Sequence, residues 1–229
     1  HLRRLTSHLI YSVRKTPLDI YFRKCAFRLH FNRRNHIQYG LLVNPKYNFH
    51  DIEFLLEGAD PSSNFVDIGA NIGYYALNAA LLGAEKVIAI EPNPKILARL
   101  KDNIALNNLS SNIAVHDVAV GDKKGVVKLT IGESDFGSSS IVDHSVGTHH
   151  VSVPILPLLE ILKKETVGTA CIIKIDIEGM EDRALFPYFE AIKPEDYPKL
   201  IVMEDGINSH WERDILSWLL TNGYESPAR

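Results

Sequence analysis

Residues 65–75 read Phe-Val-Asp-Ile-Gly-Ala-Asn-Ile-Gly-Tyr-Tyr. Four residues with the pattern of an apolar strand run into a turn bounded by Gly69 and Gly73, and an Ala- and Leu-rich stretch follows. A strand that stops at a glycine and restarts as a helix needs a tight turn, and such a turn lays its backbone amides open to a ligand. The pattern predicts a strand over Phe65–Ile68 and a helix over Ile72–Leu82, stopped by Gly83. The rhythm then repeats. Val87–Ile90 reads as a second strand, and Pro94–Asn107 as a helix with Ile96, Leu97, Leu100 and Ile104 on one face. Pro94 suits its first turn, and Ile113–Val120 reads as a third strand. Strands alternating with helices of this length imply βαβ units and a parallel sheet. The expected fold class is α/β, a Rossmann-like doubly wound, mostly parallel sheet.

The middle of the chain departs from that rhythm. Val126–Ile131 alternates like a strand, a Gly/Ser/His loop covers 132–148, and His149–Val153 is its expected partner. This pair reads as an inserted β-hairpin. Pro157–Lys164 is a short helix, Cys171–Ile175 a fourth core strand, Glu181–Phe189 a helix and Leu200–Met203 a fifth strand. His210–Thr221 is read as an amphipathic helix. Trp211, Ile215, Trp218 and Leu219 stand at helical spacing there, which makes the tryptophans core residues rather than a ligand platform. A sheet of this kind is expected to gain closing strands beyond Arg229 or to be closed by another chain.

Charge divides the chain in two. Residues 1–36 hold nine basic residues (Arg3, Arg4, Arg14, Lys15, Arg23, Lys24, Arg28, Arg33, Arg34) and one acid, Asp19, for a net of +8. The remainder carries 16 basic and 27 acidic residues, a net of −11. The reading is a basic N-terminal extension over 1–50 and a ligand-binding domain over 51–229. Within the extension a basic helix is expected in 5–15, then irregular or strand-like structure; a short helix is expected at Asp51–Glu57. The extension serves either as an anion-binding arm or as a segment docked on the chain's own acidic body or a second subunit. With 45% hydrophobic residues the chain is not disordered as a whole, and no apolar run approaches the ~18 residues of a membrane span. No apolar core of a secretory signal opens the chain. Two cysteines, Cys25 and Cys171, fit a reducing compartment, and the expected location is cytoplasmic.

The glycine turn selects among nucleotide cofactors. A dinucleotide turn needs a middle glycine to admit a pyrophosphate. Asn71 occupies that place, and Asp67 just before the turn would repel phosphate while favouring an ammonium group. S-adenosylmethionine fits, having no phosphate and carrying an ammonium and a sulfonium. Glu91, 22 residues after Gly69, ends the second strand where a carboxylate can accept from both ribose hydroxyls. Asp117 follows in the third strand's terminal region, where it can accept from an adenine amino group.

With these residues in place, FVDIGANIGYYAL, IEPNP, AVHDVAVGD and IIKIDIEGMEDRAL together resemble the FkbM-type methyltransferases, over roughly 53–223. The resemblance implies the class I methyltransferase fold and S-adenosylmethionine as cofactor. It also implies methylation of hydroxyl oxygens on sugars or polyketide-like natural products. It assigns cofactor roles to Asp67, Gly69, Asn71, Gly73, Glu91 and Asp117, with Ala70 and Tyr74 completing the cofactor set. It does not reach the first 50 residues, which are therefore the place to look for acceptor specificity.

A hydroxyl acceptor needs a general base near the ends of the fourth and fifth strands. Asp176 and Glu178, two apart, would share a face of an extended segment, with Glu204 the next candidate. Lys174 on that face is either their neutralising partner or a bystander. A rival reading gives Asp176, Glu204 and Asp205 to Mg²⁺; the reading adopted has no metal ligand. His149 and His150, after the Ser138–Ser140 run, read as loop histidines or as an acceptor-side base. The expected partner is a small-molecule or glycan acceptor, acidic if the basic arm captures it, and a homo-oligomer is compatible. Two other functions stand beside this one: an NAD-type oxidoreductase, and a non-catalytic anion- or glycan-binding protein that keeps the fold.

Overall fold

The computed structural model describes residues 13–14, 16–31, 35–44, 47, 52, 63–132, 139–141, 149–204 and 208–226. The helices expected within 5–15 and at Asp51–Glu57 lie outside them, apart from Val13, Arg14 and Ile52.

Five strands form the central sheet: β3 (Phe65–Ile68), β4 (Val87–Ile90), β5 (Ile113–His116), β10 (Ile172–Ile175) and β11 (Leu200–Met203). Their order is β11-β10-β3-β4-β5, and every neighbouring pair is parallel. These strands are mostly apolar because both faces are covered, with Asp67 in β3 and Lys174 in β10 as buried charged exceptions. Phe65, Val87, Ala89, Ile113 and Ile172 enter one core. Val66, Ile68, Ile88, Ile90, Ile173 and Ile175 enter the other. Helices α2 (Tyr74–Leu81) and α3 (Pro94–Leu106) cover the first face. Helices α4 (Leu158–Lys164), α5 (Glu181–Ala191) and α6 (Ile215–Thr221) cover the second. The doubly wound α/β fold expected from the sequence is therefore present.

The chain runs outward from β3 to β5 and then returns to place β10 on the other side of β3. That reversal between β3 and β10 opens a crevice at the carboxyl ends of the strands, the usual ligand position in such sheets.

A second sheet has the order β6-β9-β7-β8. Its members are β6 (Ala119–Val120), β7 (Gly125–Ile131), β8 (Ser139–Ser140) and β9 (His149–Leu156). The expected hairpin is its centre, with Ile131 opposite His149 and Gly125 opposite Ile155. The third strand of the sequence reading divides here. Ile113–His116 stays in the main sheet, whereas Ala119–Val120 pairs with β9, because the chain leaves the central ladder at Asp117.

Two helix starts also move. Gly73, at φ +91°, is the N-cap of α2, so the helix begins at Tyr74 rather than Ile72. Asp214 caps α6 by accepting from the Ser217 N–H, so that helix begins at Ile215, and Trp211 lies in the segment before it. Trp218 packs on Phe186, Phe189 and Tyr197, but both tryptophans are half-buried at the edge of the second core rather than inside it.

Near the N-terminus an antiparallel hairpin, β1 (Leu18–Phe22) and β2 (Cys25–Leu29), precedes α1 (His36–Val43). Asn107, the C-cap of α3, accepts from the Ala26 N–H and donates to the Ala26 carbonyl, and Asn103 of α3 accepts from the Arg28 N–H. Phe22, Phe27 and Leu29 enter the first core. Arg28 pairs with Asp19 across the hairpin at 2.8 Å.

Candidate active site

The turn after β3 forms because its residues accept backbone conformations that most side chains resist. Gly69 has φ +76°, and a Cβ there would sit 2.0 Å from the Asp176 carbonyl oxygen. Asn71 adopts φ +50°, a region asparagine tolerates better than most residues. At Gly73 a Cβ would meet Leu100 at 2.7 Å, so the glycine lets α2 settle onto α3. The Gly69 and Ala70 N–H groups both donate to the Ile90 carbonyl, which ties the turn to the end of β4.

Glu91 lies at that end, buried. Its Oε2 accepts from the Asn71 N–H and its Oε1 from the Asn93 N–H, both at 2.9 Å. Each carboxylate oxygen keeps capacity for a second donor, the arrangement two ribose hydroxyls require. Burial pushes the Glu91 carboxyl up to about 7, although the two N–H groups oppose the shift.

The wall of the crevice includes Gly69, Asn71, Glu91, Val118, Ser139, Asp176, Ile177 and Glu178. Asp117 is exposed directly beside Val118. The amides of the turn are satisfied within the fold, Ala70 on Ile90, Asn71 on Glu91 and Gly73 on Ala70, so what fits an adenosyl cofactor without a pyrophosphate is the close backbone approach at Gly69, an apolar bed and the Glu91 carboxylate.

Four residues of the expected cofactor set, Asp67, Ala70, Gly73 and Tyr74, are buried and lie behind this wall. Asp67 is fully buried; its Oδ2 accepts from the Ala76 N–H and its Oδ1 faces Lys174 Nζ at 3.6 Å. It thus braces the turn from beneath. Tyr74 is also fully buried, donates to the Tyr47 carbonyl and packs among Phe22, Phe27, Tyr47 and Tyr75.

Lys174 stands opposite Asp67 in the β3–β10 register and is 6% exposed. Its ammonium donates to the Gly69 carbonyl at 2.9 Å, lies 3.7 Å from Asp176 Oδ2 and sits over the Tyr75 ring. Burial works against its charge, but the carboxylates of Asp176, Asp67 and Glu91 outweigh burial and keep it cationic. Burial pushes the Asp67 carboxyl up, and Lys174 opposes that shift.

Asp176 follows β10 and Glu204 follows β11. The register pairs Ile175 with Met203, so the two acids continue side by side. The nearby Asp176 carboxylate, aided by burial and a shared hydrogen bond, holds the Glu204 carboxyl above its ordinary range. Glu178 reaches the crevice by another route. The expectation that it shares an extended face with Asp176 does not hold, because the strand ends at Ile175 and Glu178 turns at φ +56°. Both acids still line the crevice.

Sequence reasoning missed Glu181 and Asp182. Glu181 accepts from the N–H groups of Ile177 and Gly179 and from Trp211 Nε1, fixing the loop that carries Asp176 and Glu178. Asp182 accepts from the Glu212 and Arg213 N–H groups. Acids in the first turn of a helix were the available signal. His149 and His150 belong to the second sheet, where His150 shares a hydrogen bond with Thr130. Among the described residues no group of three His, Cys, Asp or Glu is placed to hold a metal ion; Asp205 lies outside them.

The sheet order and the crevice at its switch point, bounded by the glycine turn and the buried Glu91 carboxylate, define the class as an open α/β domain of the nucleotide-cofactor-binding kind. The model of the methyltransferase FkbM domain matches residues 67–226, and the chain belongs to that family. A ribosomal protein L11 methyltransferase of Carboxydothermus hydrogenoformans is 36% identical over 64 residues, 28% of this chain and 21% of that protein. One from Vibrio vulnificus is 42% identical over 62 residues, 27% of this chain and 21% of that protein. The chain thus spans about a fifth of the length of these relatives. The solved methyltransferase FkbM from Methylobacillus flagellatus superposes with a TM-score of 0.47 at 22% identity, over 81% of this chain and 47% of that one.

Proposed function

We propose that the protein methylates a hydroxyl oxygen of a saccharide, glycoconjugate or related natural product, with Asp176 as general base. The observation that carries this reading is the Asp176–Glu204 carboxyl pair, set one strand away from the cofactor turn. S-adenosylmethionine supplies an electrophilic methyl group when bound. The turn from Gly69 to Gly73 and Glu91 would hold it, with Asp117 at the adenine end. A hydroxyl is a weak nucleophile, so a positioned base contributes roughly 10²–10⁴-fold. Asp176 takes the hydroxyl proton, Glu204 shares the charge, and Glu178 accepts from a neighbouring hydroxyl of the acceptor. Alignment of acceptor and cofactor in one crevice supplies the remainder.

The basic residues of 1–36 enter this reading as the surface that draws in an acidic acceptor or meets a second copy of the chain; Arg14, Arg23, Lys24 and Arg28 are the described ones. Two free cysteines support a cytoplasmic setting. Among the described residues no helix is long and apolar enough to cross a membrane.

The test is incubation with methyl-labelled S-adenosylmethionine and a panel of saccharides, hydroxylated natural products, RNA and proteins, with and without excess EDTA. Label in a hydroxylated small molecule or glycan, unaffected by EDTA, supports the reading. Label confined to RNA or protein, or loss of activity in EDTA, overturns it.

A further inference from the structure

The Ser138–Ser140 run has no part in the chemistry so far, yet two of its residues meet both sides of the crevice. Ser139 and Ser140 form β8, paired to β7 through Ile131 and Thr130. On the cofactor side, Asn93 Nδ2 donates to Ser139 Oγ at 3.0 Å. Asn93 is buried, and its own N–H donates to Glu91 Oε1. Its Oδ1 accepts from the Lys95 N–H as the cap of α3. Ser139 therefore acts on Glu91 through one intermediary. On the acceptor side, Ser140, also buried, donates through its Oγ to the Glu178 carbonyl at 3.3 Å. Glu178 holds its strained φ of +56° at that point. The hydroxyls are 1 residue apart in sequence and grip opposite sides of one crevice, whose wall includes Ser139 and Ile141.

We propose that Ser139 and Ser140 are positioning residues that staple the second sheet across the crevice, one hydroxyl orienting Glu91 through Asn93 and the other fixing the Glu178 loop. Bound adenosyl cofactor is held by a carboxylate aligned in advance, and the same two-residue strand sets the acceptor side relative to it. The proposal rests on the cofactor reading above. Both serines act through hydrogen bonds of ordinary strength, so each contributes to ligand retention about threefold to tenfold.

The test uses the full chain and S-adenosylhomocysteine, with Ser139→Ala, Ser140→Ala, the double variant, and Ser139→Thr as the conservative replacement. Affinity and dissociation rate are measured by surface plasmon resonance, and thermal stability without ligand by scanning fluorimetry. The expected result is dissociation three- to tenfold faster in each alanine variant, with unliganded melting within about 3 °C of wild type and near-normal release in Ser139→Thr. Wild-type binding with all variants released within twofold of it overturns the staple and leaves the cofactor reading standing. A melting loss that accounts for the whole affinity loss, with no recovery in Ser139→Thr, likewise overturns it as a positioning role. Absence of binding by the wild type overturns both readings.

Discussion

Replacing Lys174 by methionine tests the electrostatic brace beneath the turn. Lys174 is 6% exposed and Asp67 fully buried, so water screens little of their interaction. Methionine keeps the length of the stem and removes the charge. It deletes the hydrogen bond to the Gly69 carbonyl, worth about 1.5–3 kcal/mol for a charged donor. It also leaves the Asp67 carboxylate buried without its cation, and breaking a buried pair on one side costs about 3–5 kcal/mol. These two costs overlap, so the expected total is about 3–5 kcal/mol, a melting decrease of roughly 6–20 °C for a domain of this size. Asp67 adds a pH signature. Its folded-state pKa lies above the unfolded value and rises further without Lys174. The stability of the variant is therefore greatest at low pH and falls as pH rises through that raised pKa, so its deficit against wild type widens as pH rises above the ordinary carboxylate range. Adding Asp67→Asn removes the orphaned charge and should recover most of the loss. Urea denaturation of wild type, both single variants and the double variant measures all four values. A Lys174→Met cost below about 1 kcal/mol, or a double variant no better than Lys174→Met, refutes the reasoning.

Glu91, raised to about 7 by burial, favours the unliganded fold below its unfolded pKa and loses that contribution as pH rises through about 7. Glu91→Gln should accordingly be relatively more stable than wild type at pH 8 without ligand, while binding S-adenosylhomocysteine at least tenfold more weakly by calorimetry. Gly69→Ala places a Cβ 2.0 Å from the Asp176 carbonyl at a positive φ; it should cost more than ~1 kcal/mol and abolish cofactor binding, measured by denaturation and titration. Asp176→Asn or Glu178→Gln should lower turnover at least tenfold with S-adenosylhomocysteine affinity within threefold of wild type. Unchanged turnover in both removes them from the acceptor chemistry.

The sequence alone determined the sheet and the cofactor turn, because both depend on local pattern. Apolar runs such as Val87–Ile90, ending at turns, fix parallel strands buried on both faces. The glycines at 69 and 73 fix where the backbone bends, and the spacing to Glu91 fixes a carboxylate at the next strand end. Local pattern could not tell a residue on the crevice wall from one behind it. Asp67 and Tyr74 stand in the same motif as Gly69 and Asn71, yet packing of α2 against β3 turns both inward. Nor could spacing place Glu178, since an extended segment and a left-handed turn look alike in sequence until Glu181 binds the loop's amides. The basic hairpin shows the same division. Its charge was legible, but its apolar face and the asparagines of α3, 75 to 81 residues away, decided that it shares the core. Contacts across such separations form only when the whole sheet is assembled, and they aligned the acids, the lysine and the serines around one crevice.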